Sequence, residues 1–140
     1  TGSKIEAIAV SSPSEILRHV NSYDINVIGI DELHFFPIEI INIINELIQK
    51  KKRIVAAGVD IDFAGRPFPA VATALAMADK VLKLNAICQG CKEDTFCLTQ
   101  RLIDGKPAKY DDPIILVGSE ECYLPRCRKC HIIDKKGIIE

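Results

Sequence analysis

Two Cys-x-x-Cys turns lie far apart in this chain, Cys88-Gln89-Gly90-Cys91 and Cys127-Arg128-Lys129-Cys130. Each turn aims two sulfurs at one centre. Together they offer the four thiolates that tetrahedral zinc prefers, with no position left open for water. A structural zinc site made by Cys88, Cys91, Cys127 and Cys130 is therefore expected, pinning the long intervening segment at its base. Disulfides between the same residues, or iron in a rubredoxin-like site, are the competing readings. Hydrophobic residues make up 48% of the 140, enough for a core that packs without covalent staples. That favours metal in a reducing compartment over a disulfide scaffold. Cys97 and Cys122 fall outside the pairs and read as small buried hydrophobes. His131 follows Cys130 directly, but four cysteines already complete the ligand set.

The net charge is −1 and no block of one sign occurs, so nothing points to a nucleic-acid or anionic-membrane partner. The run from Phe35 to Ile48 is broken by Glu39, Asn42, Asn45 and Glu46, too polar and too short to span a bilayer. No secretion signal is visible, and a cytoplasmic location is expected.

Ile5, Ile8 and Val10 suggest an opening strand. Ser12-Pro13-Ser14-Glu15 then reads as a helix start, with Ser12 as cap, Pro13 at the first helical position and Glu15 closing a capping box. Val27-Ile28-Gly29-Ile30 is a continuous apolar run, as in a strand covered on both faces. Ile40, Ile43, Ile44, Leu47 and Ile48 recur at helical spacing, and Lys50 to Arg53 places positive charge where that helix should end. Ile54–Ala57 reads as a second strand, Pro69–Ala78 as an Ala-rich helix and Val81–Ile87 as a third strand. This alternation predicts a parallel sheet with helices on both faces. Beyond Cys88 the pattern changes. Short strands are expected at Thr95–Ile103 and Ile114–Val117, with turns at Asp104-Gly105 and Asp111-Asp112-Pro113. The expected division is an α/β domain over 1–87, a zinc-anchored subdomain over 88–131 and a polar tail over 132–140.

The end of the first strand, Val27 to Glu32, has the form of a Walker B strand, in which an acid holds Mg²⁺ and a following Glu can act as general base. Apolar strands also end in acidic residues for no chemical reason. Phosphate chemistry of this kind further needs a Gly-rich loop with a Lys. No such motif occurs here, and Thr1-Gly2-Ser3-Lys4 lacks both the leading strand and the Lys-Ser/Thr order.

Several blocks in order then carry a resemblance: Asp31-Glu32-Leu33-His34-Phe35-Phe36; Gly58-Val59-Asp60-Ile61-Asp62-Phe63 with Arg66-Pro67-Phe68; Cys88-x-x-Cys91; Thr99-Gln100-Arg101-Leu102; Val117-Gly118 with Tyr123; and Cys127-Arg128-x-Cys130-His131. From about Lys4 to His131 the chain resembles the type II, human-cytosolic-like thymidine kinases common in bacteria. The resemblance implies a RecA-like, P-loop-type parallel sheet with a zinc-anchored lasso, and transfer of the ATP γ-phosphate to the 5′-hydroxyl of thymidine or deoxyuridine. It implies Glu32 as the base and Asp31, Glu32, Leu33 and His34 at the Mg²⁺-ATP site. It further implies Phe35, Phe63, Thr99, Tyr123 and the backbone of Ile114, Ile115, Leu116, Val117 and Gly118 around the nucleoside. A homotetramer and dTTP as a candidate feedback inhibitor follow from the same likeness. Without the likeness, Phe35 and Phe63 would be read as core aromatics, Tyr123 as packing beside the zinc turn, and Arg101 as a structural ion-pair donor.

Two departures stand out. His34 occupies the place of the usual Gln, and the family's first strand and P-loop are expected upstream of Thr1. On that expectation these 140 residues alone bind nucleoside weakly and do not turn over ATP. A non-enzymatic zinc module, or a degenerate nucleoside-binding homologue, would explain the missing loop equally directly.

Overall fold

The computed structural model describes residues 5–114 and 121–133. The chain divides into two compact units: Thr1–Val59 with Pro69–Ala76, and Asp60–Phe68 with Met77–Glu140.

In the first unit, helix α1 (Pro13–Ser22) is followed by strand β1 (Val27–Ile30), a single 3₁₀ turn (Leu33–Phe35), helix α2 (Ile40–Gln49), strand β2 (Arg53–Ala56) and helix α3 (Pro69–Met77). Strands β1 and β2 pair in parallel, with Ile28 opposite Ile54 and Ile30 opposite Ala56. Helix α2 buries Ile40, Ile41, Ile44 and Leu47, one stripe at helical period. It packs on β2, and α1 packs on α2 through Ile16 and Val20.

The end of α2 shows how local chemistry sets a boundary. Lys51 lies in the left-handed region (φ 59°). The Lys52 amide donates to the Leu47 carbonyl at 3.0 Å and the Lys51 amide to the Ile48 carbonyl at 2.8 Å. This is a Schellman closure, made here with lysine where glycine is usual. Lys50 Nζ meanwhile reaches Glu46 Oε1 at 2.7 Å. The start of α1 differs slightly from expectation. Ser12 is the cap residue but its hydroxyl makes no capping bond to the helix backbone. Glu15 reaches back instead to Ser11, accepting from its amide at 3.0 Å and its hydroxyl at 2.7 Å. These donors hold the Glu15 carboxyl below its ordinary range.

Three expectations are corrected. Residues 5–10 form no strand, and Ile5 and Ile8 are exposed. Val81–Ile87 is not a third parallel strand: residues 80–85 have no regular structure, and only Ala86–Ile87 pairs, antiparallel to Asp94–Thr95. An apolar run without a strand partner is merely extended chain, and Leu82 and Leu84 are each 78% exposed. Nor is β1 covered on both faces. Ile28 and Ile30 point into the core while Val27 and its neighbour-strand residue Val55 remain exposed. The parallel sheet of the described residues therefore has two strands.

The second unit contains strands β3 (Ala86–Ile87), β4 (Asp94–Thr95), β5 (Cys97–Ile103), β6 (Lys106–Pro107) and β7 (Glu121–Cys127). The last three form an antiparallel sheet in the order β6-β5-β7. Asp104 and Gly105 both take positive φ, 49° and 74°, as a two-residue hairpin turn of the primed type requires. Strand β7, absent from the sequence reading, pairs along the whole of β5 from Cys97–Cys127 to Ile103–Glu121. The buried Gln100 amide clamps the chain after the second cysteine pair: Oε1 accepts from the Ile132 amide at 2.7 Å and Nε2 donates to its carbonyl at 2.8 Å.

Leu47 is fully buried at the centre of the α2 stripe. Leu47→Ala is expected to cost ~3 kcal/mol by loss of transfer energy and a residual cavity, read as a lower midpoint in urea, while zinc content stays unchanged because the cysteines belong to the other unit.

Candidate functional site

The two cysteine turns come together. The four sulfurs of Cys88, Cys91, Cys127 and Cys130 all lie within 4.8 Å of one another, and those of Cys91 and Cys127 are 3.7 Å apart. A tetrahedron with metal–sulfur bonds of ~2.3 Å has edges of ~3.8 Å, so the quartet already has the size of a zinc site. Backbone donors complete the fit. The amides of Gly90 and Cys127 point at the Cys88 sulfur from 3.3 and 3.2 Å. The Cys127 amide is the main reason the Cys88 thiol is drawn down to about 6, while sharing of hydrogen bonds with Cys127 pushes the Cys130 thiol up. Such a cluster holds protons where a metal would sit, and these donors stabilise thiolate.

The sequence builds this geometry locally. Strand β3 delivers Cys88, and the Cys88 carbonyl accepts from the Lys92 amide at 2.9 Å to close the first turn. Gln89 donates its amide to Pro125 at 2.8 Å, stitching that turn to β7. Strand β7 delivers Cys127, whose carbonyl accepts from the amides of Cys130 and His131. Gly90 is a steric requirement, since a Cβ there would lie 2.8 Å from the Cys130 sulfur and 2.9 Å from its Cβ. Outside the quartet, Cys97 is half-buried with its thiol on the Ala86 carbonyl at 3.5 Å, whereas Cys122 is exposed, not the buried hydrophobe expected.

A second cluster lies where β1 ends. Glu32 adopts a left-handed backbone (φ 53°, ψ 39°), a conformation that costs a residue with a long side chain ~1–3 kcal/mol. Its surroundings impose that conformation. The Glu32 amide donates to Asp31 Oδ1 at 2.8 Å, the Glu32 carbonyl accepts from Phe35 at 2.9 Å, and the Leu33 amide bonds to Ala57 at 2.9 Å. Leu33 is buried beneath the turn. Gly58 lets the two strand-end loops approach, because a Cβ there would meet the Leu33 and His34 amide nitrogens at 3.2 and 3.3 Å. His34 is held on both ring nitrogens. Nδ1 accepts from the Val59 amide at 3.2 Å, so the proton sits on Nε2, which is 3.4 Å from Glu32 Oε2. The Glu32 side chain is 61% exposed while that of His34 is 8% exposed. The strained turn thus presents one carboxylate to solvent with an imidazole behind it. Phe35, 66% exposed with its ring against His34, is not a core aromatic.

In the second unit, Phe63 is buried and Tyr123 half-exposed. The guanidinium of Arg101 lies 4.9 Å from the Phe63 ring and 6.0 Å from that of Tyr123. Thr99 shares their sheet face, since Thr99, Arg101 and Tyr123 are related by the two-residue period and direct pairing of β5 with β7. The segment carrying Phe63 is folded by Asp62, whose carboxylate accepts from the Ala64 and Arg66 amides and from Arg66 Nε. Ile114 is part-exposed in a bend; Ile115, Leu116, Val117 and Gly118 lie outside the described residues.

A family model for thymidine kinase matches residues 1–131. The chain belongs to the thymidine kinase family. It is thus a member of a family of phosphoryl-transferring enzymes, and the cysteine quartet and the Asp31-Glu32 turn both fall within the matched region. Among the described residues no helix is long and apolar enough to cross a membrane.

Two outcomes are expected of the quartet. Zinc uptake at pH 7 should release protons into weakly buffered solution, and zinc affinity should weaken as the pH is lowered and protons compete for the cysteine sulfurs. Gly90→Ala should lower zinc affinity ~10–100-fold, as measured by competition with a chromogenic chelator.

Proposed function

We propose that this protein is an ATP-dependent thymidine kinase that transfers the γ-phosphate to the 5′-hydroxyl of thymidine or deoxyuridine. The observation that carries the reading is the strained turn at Glu32, inside a region that matches the thymidine kinase family. A strand-end carboxylate kept exposed, at a backbone angle that glycine would adopt without strain, is what a general base needs and a structural residue does not.

In this reading Glu32 accepts the proton of the 5′-hydroxyl as it attacks the γ-phosphorus. His34 supplies a fixed N–H beside that carboxylate, in place of the Gln that the family resemblance leads one to expect. Asp31 has one oxygen committed to the Glu32 amide and one left to face Mg²⁺-ATP; when bound, the cation neutralises charge on the phosphates. Leu33 acts through its backbone and its buried side chain, setting the turn. Phe35, Phe63, Thr99 and Tyr123 take the nucleoside, with Ile114–Gly118 offering backbone groups to the base. The quartet of Cys88, Cys91, Cys127 and Cys130 holds a structural zinc at the foot of a subdomain over 88–131, and the first unit belongs to a sheet of the RecA-like, P-loop type. Zinc has no part in the chemistry, since four thiolates leave no open position. dTTP inhibition, a homotetramer and a cytoplasmic location complete the proposal.

The experiment is phosphorylation of tritiated thymidine by the complete gene product with Mg²⁺-ATP. Glu32→Gln is expected to lower kcat ~10²–10⁴-fold with thymidine affinity retained; turnover at the wild-type rate would remove Glu32 from the base role. Chelation of zinc is expected to weaken thymidine binding before the far-ultraviolet dichroism of the first unit changes. Metal-free protein with unaltered affinity would sever the metal from the nucleoside site.

A further inference from the structure

Arg101 is the largest fully buried side chain described and carries a charge. Burying a cation is costly unless it is paired, and a well-packed apolar residue commonly serves stability as well. What an apolar residue could not do is serve several partners at once. The Arg101 guanidinium donates through Nη1 to the Pro113 carbonyl and through Nη2 to Glu121 Oε1 at 2.6 Å. The other oxygen of that carboxylate accepts from the Tyr123 hydroxyl at 2.6 Å. The same guanidinium lies over both the Phe63 and Tyr123 rings. One fork therefore touches three separate stretches of chain, around residues 63, 113 and 121–123. Register explains how: Arg101 stands directly opposite Tyr123, with Glu121 two residues along the same face. Nε is buried without a partner among the described residues, so the fork is spent on these contacts at the expense of full satisfaction.

We propose that Arg101 is a positioning residue for nucleoside binding, acting with Glu121 to fix the Tyr123 phenol and the Phe63 ring. The inference rests on the nucleoside reading above. Only arginine fits the task, because its planar fork spans a carbonyl and a carboxylate while the same group lies near two aromatic rings. Lysine would keep the charge and lose the geometry. Glu121 is the link by which the cation sets the phenol, so loss of its charge should act like loss of the fork.

The test is equilibrium dialysis of tritiated thymidine against the complete gene product and its Arg101→Lys, Glu121→Gln and Tyr123→Phe variants. Zinc content serves as the check on folding. A tyrosine-emission difference against Tyr123→Phe reports the phenol–carboxylate bond, which quenches that residue. Arg101→Lys and Glu121→Gln are expected to raise the thymidine Kd at least ~10-fold with zinc content intact, and to raise Tyr123 emission. Tyr123→Phe, on a half-exposed side chain where folding is safe, should raise Kd ~5-fold. A Kd within twofold of wild type in Arg101→Lys, alongside a lower Tm, would overturn the proposal and leave a purely structural pair. Should the two buried-pair variants fail to fold, Tyr123→Phe decides: an unchanged Kd overturns the proposal. If the wild-type protein shows no thymidine affinity, the nucleoside reading falls and takes the affinity claim with it. Unchanged emission in Glu121→Gln, with thymidine affinity present in the wild type, refutes the positioning claim alone.

Discussion

The second unit depends on one convergence, four thiols from residues 36 apart in sequence meeting within a few ångströms. Closing so long a loop costs chain entropy that a sheet of three short antiparallel strands offsets poorly. The quartet's convergence closes that loop and sets the register, and its four sulfurs are spaced to hold a metal ion. With Cys127 fixed beside Cys88, β7 can lie only along β5, and every pair from Cys97–Cys127 to Ile103–Glu121 follows. Arg101 then meets Tyr123 and Glu121 because that register puts them on its face. The metal quartet and the buried guanidinium are thus coupled through a strand rather than through any direct contact.

The first unit solves a different problem. Its exposed Glu32 carboxylate sits on a turn held from behind: Leu33 buried, Gly58 without a Cβ, the Ala57 carbonyl and Val59 amide bonding to Leu33 and His34. Two parallel strands of four residues each carry the two loops side by side. That is the usual placement for function on an α/β sheet, at the carboxyl ends of the strands. Holding Glu32 relies on bonds across the ends of two adjacent strands, between residues 33–34 and 57–59.

Much of this was legible beforehand, for definite reasons. The quartet was readable because metal ligation fixes residue type and spacing together. Helix α2 was readable because Ile40, Ile43, Ile44, Leu47 and Ile48 recur at helical spacing, although Ile41 rather than Ile48 is buried, and the Asp104-Gly105 turn because few residues accept positive φ twice in succession. Strand β7 was hidden by Pro125, which argues against a strand interior. It is tolerated because β7 lies at a sheet edge and its carbonyl serves the Gln89 amide. The run Val81–Ile87 misled because apolar composition cannot distinguish a buried strand from exposed extended chain; only a partner decides. Arg101 was readable as an ion-pair donor, and it pairs with Glu121, but its partners at 63, 113 and 121 were not, since topology rather than sequence proximity brings them to it.

The left-handed backbone at Glu32 sets stability against the retention of an exposed carboxylate at one position. Glycine or asparagine would relax there and keep the backbone bonds of the turn, at the loss of the carboxylate's contact with His34. Any search that ranks substitutions by thermal resistance alone would arrive at this residue early, improve the protein by its own measure, and discard the carboxylate that the turn presents to solvent.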